Sequence, residues 1–160
     1  LLALPDVENV TLVNRWNINL NGNALDNVLA GNSGDNVIRG FGGNDVLSGG
    51  AGRDSFGFDA APGAGDLVQT TDFSVADDII LLSHDQFGPI GSGSGGWGLL
   101  DPDAFVIGNV AADANDRILY DSATGALFYD ADGNGAEAAV QFALLTPGLA
   151  LTSADFNVIL

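Results

Sequence analysis

Oxygen-bearing side chains recur every nine residues between Gly22 and Gly57. Stacked in nines, the segment reads GNALDNVLA, GNSGDNVIR, GFGGNDVLS and GGAGRDSFG, with no insertion between units. The sixth column holds only carboxylate and amide groups, from Asn27, Asn36, Asp45 and Asp54. Hard divalent cations such as Ca²⁺ prefer oxygen ligands of this kind. The spacing therefore predicts a row of cation sites.

Two further columns indicate which elements would position these side chains. Glycine fills the first column, at Gly22, Gly31, Gly40 and Gly49. Apolar residues fill the eighth, at Leu29, Ile38, Leu47 and Phe56. A nine-residue period fits a solenoid in which about six residues turn and about three form a short strand. Two units would complete one coil, so that Asn27 and Asp45 share one edge and Asn36 and Asp54 the other.

The repeats resemble the nonapeptide pattern G-G-x-G-x-D-x-U-x of RTX proteins. The third and fourth units match it closely, whereas the first two carry Asn at position six, with Asp26 or Asp35 one place earlier. The fold that this resemblance implies is all-β. It is a parallel β-roll, a two-sheet solenoid of nine-residue repeats, which continues into a mostly antiparallel C-terminal cap.

Stacked turns would hold each Ca²⁺ ion through inward carbonyl oxygens and one side chain from each turn, so that several ions are expected. The predicted ligands in the repeats are Gly22, Ala24, Asn27, Gly31, Ser33, Asn36, Gly40, Gly42, Gly43, Asp45, Gly49, Ala51, Gly52 and Asp54. Asn offers less charge than Asp, so weaker binding is expected at Asn27 and Asn36. The resemblance adds a capping site at Asp66 and Asp72, although the place that often carries an Asp in related tails is Val68.

The chain divides into degenerate capping coils (1–21), the roll (22–58) and a β-rich cap (59–160). In the cap, the segments TDFSVADDIILL, DRILYDSATGALFYDADGNG and LTSADFNVIL resemble the region that follows the repeats in RTX exoproteins. The turn DSATG predicts a hairpin of residues 118–120 and 127–129. Ser83, Asp101 and Thr152 are expected to begin short helical turns.

The loop DADGNG is a second candidate calcium site. Asp130, Asp132 and Asn134 have the first spacings of an EF-hand loop and are followed by Gly135. The twelfth position is Gln141 instead of Glu, and the flanks LFY and VQF predict strands. A hairpin turn is therefore expected, with a calcium-binding loop as the alternative.

The overall charge excludes several classes of function. With 21 acidic and four basic residues the net charge is −17, which repels nucleic acids and anionic membranes. Cysteine is absent, and no stretch of about 20 apolar residues predicts a transmembrane segment. His84 is the only histidine, and no partners for a triad or a zinc site are evident, so no catalytic residues are expected.

These features predict a non-catalytic module that folds on Ca²⁺ binding outside the cell. The resemblance implies type I secretion machinery as a partner, a signal near DFNVIL, and a secreted or cell-surface location in a Gram-negative bacterium. Leu1 is not a methionine, so the module is expected to belong to a larger polypeptide. The alternative is a carbohydrate- or surface-binding module of an adhesin, surface layer or polysaccharide-modifying enzyme, with Val28, Val37 and Val46 or Trp97 as the contact surface.

Overall fold

The nine-residue period forms a coil whose short strands alternate between two facing β-sheets. A computed structural model describes residues 8–160; the first part of the predicted capping coils, residues 1–7, lies outside the described residues. One sheet contains β1 (Asn9–Thr11), β3 (Val28–Ala30), β5 (Val46–Ser48) and β7 (Val68–Thr70). The other contains β2 (Leu20–Asn21), β4 (Val37–Arg39), β6 (Ser55–Phe58) and β8 (Ile79–Ser83).

Neighbouring strands of the roll are parallel and keep the predicted offset. Val28 pairs with Val46 and Ile38 with Phe56, so that paired residues are 18 positions apart. After the repeats the offset widens, because Val46 pairs with Gln69. The parallel two-sheet β-roll predicted from the repeats is therefore confirmed.

Both sheets of the roll extend beyond the repeats. The later elements are α1 (His84–Phe87), β9 (Gly98–Leu99), β10 (Phe105–Ile107), β11 (Ile118–Asp121), β12 (Ala126–Tyr129), β13 (Val140–Leu144) and β14 (Phe156–Ile159). Strand β13 pairs in parallel with β7, and β14 pairs in parallel with β8. Antiparallel pairs, as expected near the C-terminus, join β11 to β12, β12 to β13 and β9 to β14. Since β10 also runs parallel to β11, the C-terminal part mixes the two kinds of pairing.

The eighth column of the repeats forms the interior of the roll. Leu29, Ile38, Leu47 and Phe56 are each at most 1% exposed. Burying one such side chain contributes about 1.5–3 kcal/mol, so this column is the main apolar support of the short strands. The same core continues into the C-terminal part through the side chains of Phe58, Phe87, Phe142 and Phe156.

The short turns that were predicted from local sequence are present in the structure. Ile118 pairs with Tyr129 in the hairpin around DSATG. The Asp101 carboxylate accepts a bond from the Asp103 N–H at the start of the 3-10 helix Pro102–Ala104. Thr152 forms a capping box with Asp155. Ser83 precedes α1 without a side-chain capping bond. No helix within residues 8–160 is long and apolar enough to cross a membrane.

Candidate calcium-binding sites

The turns of the repeats stack on two opposite edges of the roll. Residues 22–27 and 40–45 connect the sheet that contains β2 and β4 to the sheet that contains β3 and β5, and we call this side the first edge. Residues 31–36 and 49–54 lead back and form the second edge. The sixth column lies inside these edges, because each of its residues, Asn27, Asn36, Asp45 and Asp54, is 1% exposed.

Asp45 and Asp54 each tie their own turn to the turn 18 residues earlier. The Asp45 Oδ1 accepts a bond from the Asn27 N–H at 2.9 Å, and the Asp54 Oδ1 accepts one from the Asn36 N–H at 2.8 Å. The other oxygen of each carboxylate, Oδ2, is buried and has no hydrogen-bond partner. Burial of an uncompensated carboxylate oxygen is costly, so each site requires a donor or a cation.

The electrostatics of the two carboxylates support this reading. Burial is the largest cause that raises the pKa of Asp45 to about 6 and that of Asp54 to about 6. The backbone N–H bonds oppose this shift, while neighbouring carboxylates, such as Asp26 beside Asp45 and Asp78 beside Asp54, add to it. The two sites therefore lack positive charge, which a bound cation would supply.

Glycine in the first column keeps the space beside these carboxylates open. A Cβ atom at Gly40 would collide with Asp45 Oδ2, and one at Gly49 would collide with Asp54 Oδ2. The Gly40 carbonyl oxygen faces the preceding turn and lies 2.6 Å from the position that a Cβ of Gly22 would occupy. Carboxylate and carbonyl oxygens thus converge in glycine-lined gaps, and this donor set fits Ca²⁺.

The remaining predicted ligands lie in the same stacked turns. The N–H of Gly42 donates to the Asn23 carbonyl at 3.2 Å, and the N–H of Ala51 donates to the Asn32 carbonyl at 2.9 Å. Ala24 and Ala51 have no side-chain oxygen, so only their backbone oxygens could serve as ligands. Ser33 also carries a hydroxyl, on an exposed side chain. The structure brings the predicted residues together on each edge, and their carbonyl coordination stays a prediction.

The structure does not bring Asp66 and Asp72 together. Asp66 lies between β6 and β7 on the first edge, whereas Asp72 lies between β7 and β8 on the second. Consecutive turns of a two-sheet coil fall on opposite edges, which is why two residues close in sequence are separated. Asp72 accepts bonds from the N–H groups of Gly49 at 2.8 Å and Gly50 at 2.9 Å, and so caps the last turn of the repeats.

Sequence reasoning missed Asp78, which continues the sixth column on the second edge. Ser55 pairs with Ile79, so Asp78 stands beside Asp54. Its Oδ1 accepts the Asp54 N–H and its Oδ2 accepts the Ser74 N–H, both at 2.8 Å. The signal that could have revealed it is an Asp two places before an inward apolar residue, Ile80, as in the repeats. On the first edge, the corresponding place is occupied by the buried Val68.

The fifth column forms an exposed ladder outside the candidate sites. Asp26 Oδ1 accepts the Asn44 N–H at 2.7 Å, and Asp35 Oδ1 accepts the Arg53 N–H at 2.9 Å. Asn17 accepts the Asp35 N–H in the same way at 2.9 Å. These side chains bond to the turn 18 residues later, in the opposite direction to the sixth column, and they join coils without a metal.

The loop DADGNG lies in a hairpin connection, as predicted. Residues 130–139 join the antiparallel strands β12 and β13, and no helix flanks them. Asp132 Oδ2 accepts the N–H groups of Ala136 at 2.8 Å and Glu137 at 3.2 Å. Asp130 Oδ1 accepts the Asp132 N–H at 3.2 Å, and the Asn134 N–H donates to the Asp113 carbonyl at 3.0 Å. Calcium binding by this loop stays a prediction.

His84 and Trp97 stack on each other. Their ring centroids are 4.0 Å apart with an interplanar angle of 19°. The His84 Nε2 lies 3.2 Å from the Gly95 carbonyl oxygen.

Within residues 8–160, no group of three or more His, Cys, Asp or Glu side chains is arranged to hold a metal. Sites at Asp45 and Asp54 would therefore depend largely on backbone carbonyl oxygens.

The parallel roll, its glycine-lined turns and its buried carboxylates form a two-sheet β-roll whose donor set fits Ca²⁺. Residues 21–56 match the family model of the RTX calcium-binding nonapeptide repeat in 4 copies. This segment therefore consists of RTX repeats, which bind calcium ions, are not catalytic and are typical of secreted bacterial proteins. No curated protein was found to match the chain.

Proposed function

We propose that this domain is a calcium-dependent folding module of an exported protein. The observation that carries the proposal is the pair of buried carboxylate oxygens, Asp45 Oδ2 and Asp54 Oδ2, that have no hydrogen-bond partner. A chain with a net charge of −17 already resists compaction, and these two groups add buried charge to the folded state. When bound, Ca²⁺ would supply the missing positive charge at both places.

Calcium binding at such sites supplies a part of the stability of a small domain. Extracellular sites bind calcium with dissociation constants of ~10⁻⁴–10⁻³ M. At millimolar calcium each such site stabilises the folded state by roughly 0.5–1.5 kcal/mol. Small domains are stable by only about 5–15 kcal/mol, and the 23 glycines raise the conformational entropy lost on folding. A few sites therefore contribute a substantial share of the stability of the folded chain.

The position of the last strand would connect folding to export. Strand β14 (Phe156–Ile159) pairs with β8 on one side and with β9 on the other. Phe156 and Val158 are buried in the core, at 0% and 2% exposure. A secretion signal in DFNVIL would therefore be accessible only before folding. Low calcium inside the cell would keep the signal exposed for type I secretion machinery, and higher calcium outside would favour folding after export.

The proposed setting is extracellular or on the surface of a Gram-negative bacterium, with the domain attached to the rest of a larger polypeptide. The domain itself has no catalytic role in this proposal. The seventh column, which faces outward, bears Val28, Val37, Val46 and Ser55 and no aromatic ring. Nothing in that column favours the sugar-binding alternative.

Circular dichroism in excess chelator and in millimolar Ca²⁺ tests the proposal. The chain is expected to be largely disordered in chelator and to gain its β signal when Ca²⁺ is added. Mg²⁺ is the matched control, because it demands shorter bonds and near-octahedral geometry and should not replace Ca²⁺. A full β signal in chelator would contradict calcium-dependent folding.

A further inference from the structure

The four repeats contain two kinds of turn. In the third unit, Phe41 at position two has φ 71° and Gly43 at position four has φ 96°. In the fourth unit, Gly50 and Gly52 occupy the same positions with φ 93° and 125°. None of the corresponding residues in the first two units, Asn23, Leu25, Asn32 and Gly34, has a positive φ. The units with Asp at position six thus differ in backbone from those with Asn.

The turns of the first two units are closed by their own asparagines. Asn23 Oδ1 accepts the Leu25 N–H at 2.8 Å, which is an Asx turn. Asn32 Oδ1 accepts the Gly34 N–H at 2.7 Å in the second unit. At position six, Asn27 Oδ1 accepts the Asn23 N–H at 2.8 Å. Asn36 Oδ1 accepts the Asn32 N–H at 2.9 Å. The side-chain oxygen at position six is therefore satisfied within the turn.

The amide group of Asn36 also connects two stacked turns on the second edge. Its Nδ2 donates to the Ile18 carbonyl at 2.9 Å, across 18 residues. A neutral N–H donor therefore satisfies a carbonyl that faces the gap between the turns. In such a gap, a carboxylate at position six would leave the carbonyl without a donor, and a cation would be needed instead.

The last two units lack this closure. The Gly50 N–H, at position two, donates to Asp72 Oδ2 and not to Asp54. Asp54 Oδ2 and Asp45 Oδ2 are left buried without a partner. The Gly40 and Gly49 carbonyl oxygens instead lie against the positions that Cβ atoms of Gly22 and Gly31 in the preceding turns would occupy. The turns of the last two units therefore carry oxygen atoms at the places where the turns of the first two units form hydrogen bonds.

We propose that the repeats hold two calcium ions, one at Asp45 on the first edge and one at Asp54 on the second. Asn27 and Asn36 hold no ion of their own, since asparagine side chains make the contacts that an ion would otherwise make. This inference rests on the proposed function and replaces the expectation of weak calcium ligation by Asn27 and Asn36.

Counting bound ions in variants tests the inference. The count is measured by native mass spectrometry of the whole chain at saturating Ca²⁺, with folding checked by circular dichroism. Asp45→Asn and Asp54→Asn should each lose one ion, and Asn36→Ala should lose none. Loss of an ion in Asn36→Ala, or an unchanged count in either Asp variant, would overturn the inference. A wild-type chain that binds no ion would instead refute the proposed function.

A measurement on the wild-type chain applies if Asn36→Ala fails to fold. At saturating Ca²⁺, the side-chain amide protons of Asn36 should exchange at least about tenfold more slowly than those of the exposed Asn109, because they remain bonded to the Ile18 carbonyl. Exchange of Asn36 as fast as that of Asn109 would mean that the amide does not close the turn, and would overturn the inference.

Discussion

The carboxylates of Asp45 and Asp54 in the repeats differ from several carboxylates of the C-terminal part in their hydrogen-bond donors. Asp45 and Asp54 each leave one oxygen without a protein donor. Asp78 and Asp116, by contrast, accept bonds from nearby backbone N–H groups, such as the 2.7 Å bond from Ala112 to Asp116. Asp155 accepts both the N–H and the hydroxyl of Thr152. The comparison shows that a carboxylate with enough backbone donors needs no cation. The C-terminal part is not uniform, because Asp59 Oδ2 and Asp132 Oδ1 are also buried without a hydrogen-bond partner.

The two regions nevertheless share one apolar core, and breaking that core should have the largest effect. Phe56 is 0% exposed, and its ring centroid lies 5.9 Å from that of Phe73 beyond the repeats. Phe56→Ala should destabilise the chain by about 3–5 kcal/mol in urea unfolding at saturating Ca²⁺. Val28→Ala is the control, since Val28 is 48% exposed, and should change stability by less than about 1 kcal/mol. Similar losses for both variants would contradict a core shared through the eighth column.

Removing a carboxylate that is bonded only to backbone N–H groups should destabilise the chain less than Phe56→Ala, and the loss should not depend on calcium. Asp116 Oδ2 accepts the N–H groups of Ala112 at 2.7 Å and Asp113 at 3.1 Å. Asp116→Ala should lower the unfolding free energy by about 1–3 kcal/mol, because both donors lose a charged partner. The slope of that free energy against ln[Ca²⁺] reports the number of ions bound on folding and should not change. A reduced slope would place Asp116 among the calcium-linked groups.

The fold was predictable wherever a residue repeats at a fixed period. The eighth-column residues and the 18-residue offset follow from the spacing, and both are confirmed. The return of β13 to β7 was not predictable, because Ala143 pairs with Val68 across 75 positions with no local pattern to indicate it. Non-local pairing of this kind depends on which sheet edges remain free after the repeats have folded.

The candidate site was predictable by residue type but not by hydrogen bonding. The sequence singled out Asn27, Asn36, Asp45 and Asp54 as one column, and the structure buries all of them alike. What separates the asparagines from the aspartates is the backbone at position two, where φ is positive only in the last two units. Phe41 adopts that conformation without being glycine, so residue type alone does not reveal it.

Calcium-linked stability of Asp45→Ala and Asp26→Ala tests the central claim most directly. Asp26 is exposed and bonds to the Asn44 N–H, so it is a neighbouring carboxylate outside the sixth column. Urea unfolding is measured across a Ca²⁺ series, and the slope of the unfolding free energy against ln[Ca²⁺] gives the number of ions bound on folding. That number should fall by one in Asp45→Ala and stay unchanged in Asp26→Ala. Asp45→Ala should also need several-fold more calcium to fold. The opposite result, with the slope reduced only in Asp26→Ala, would contradict the account by showing that the fifth column binds the ion.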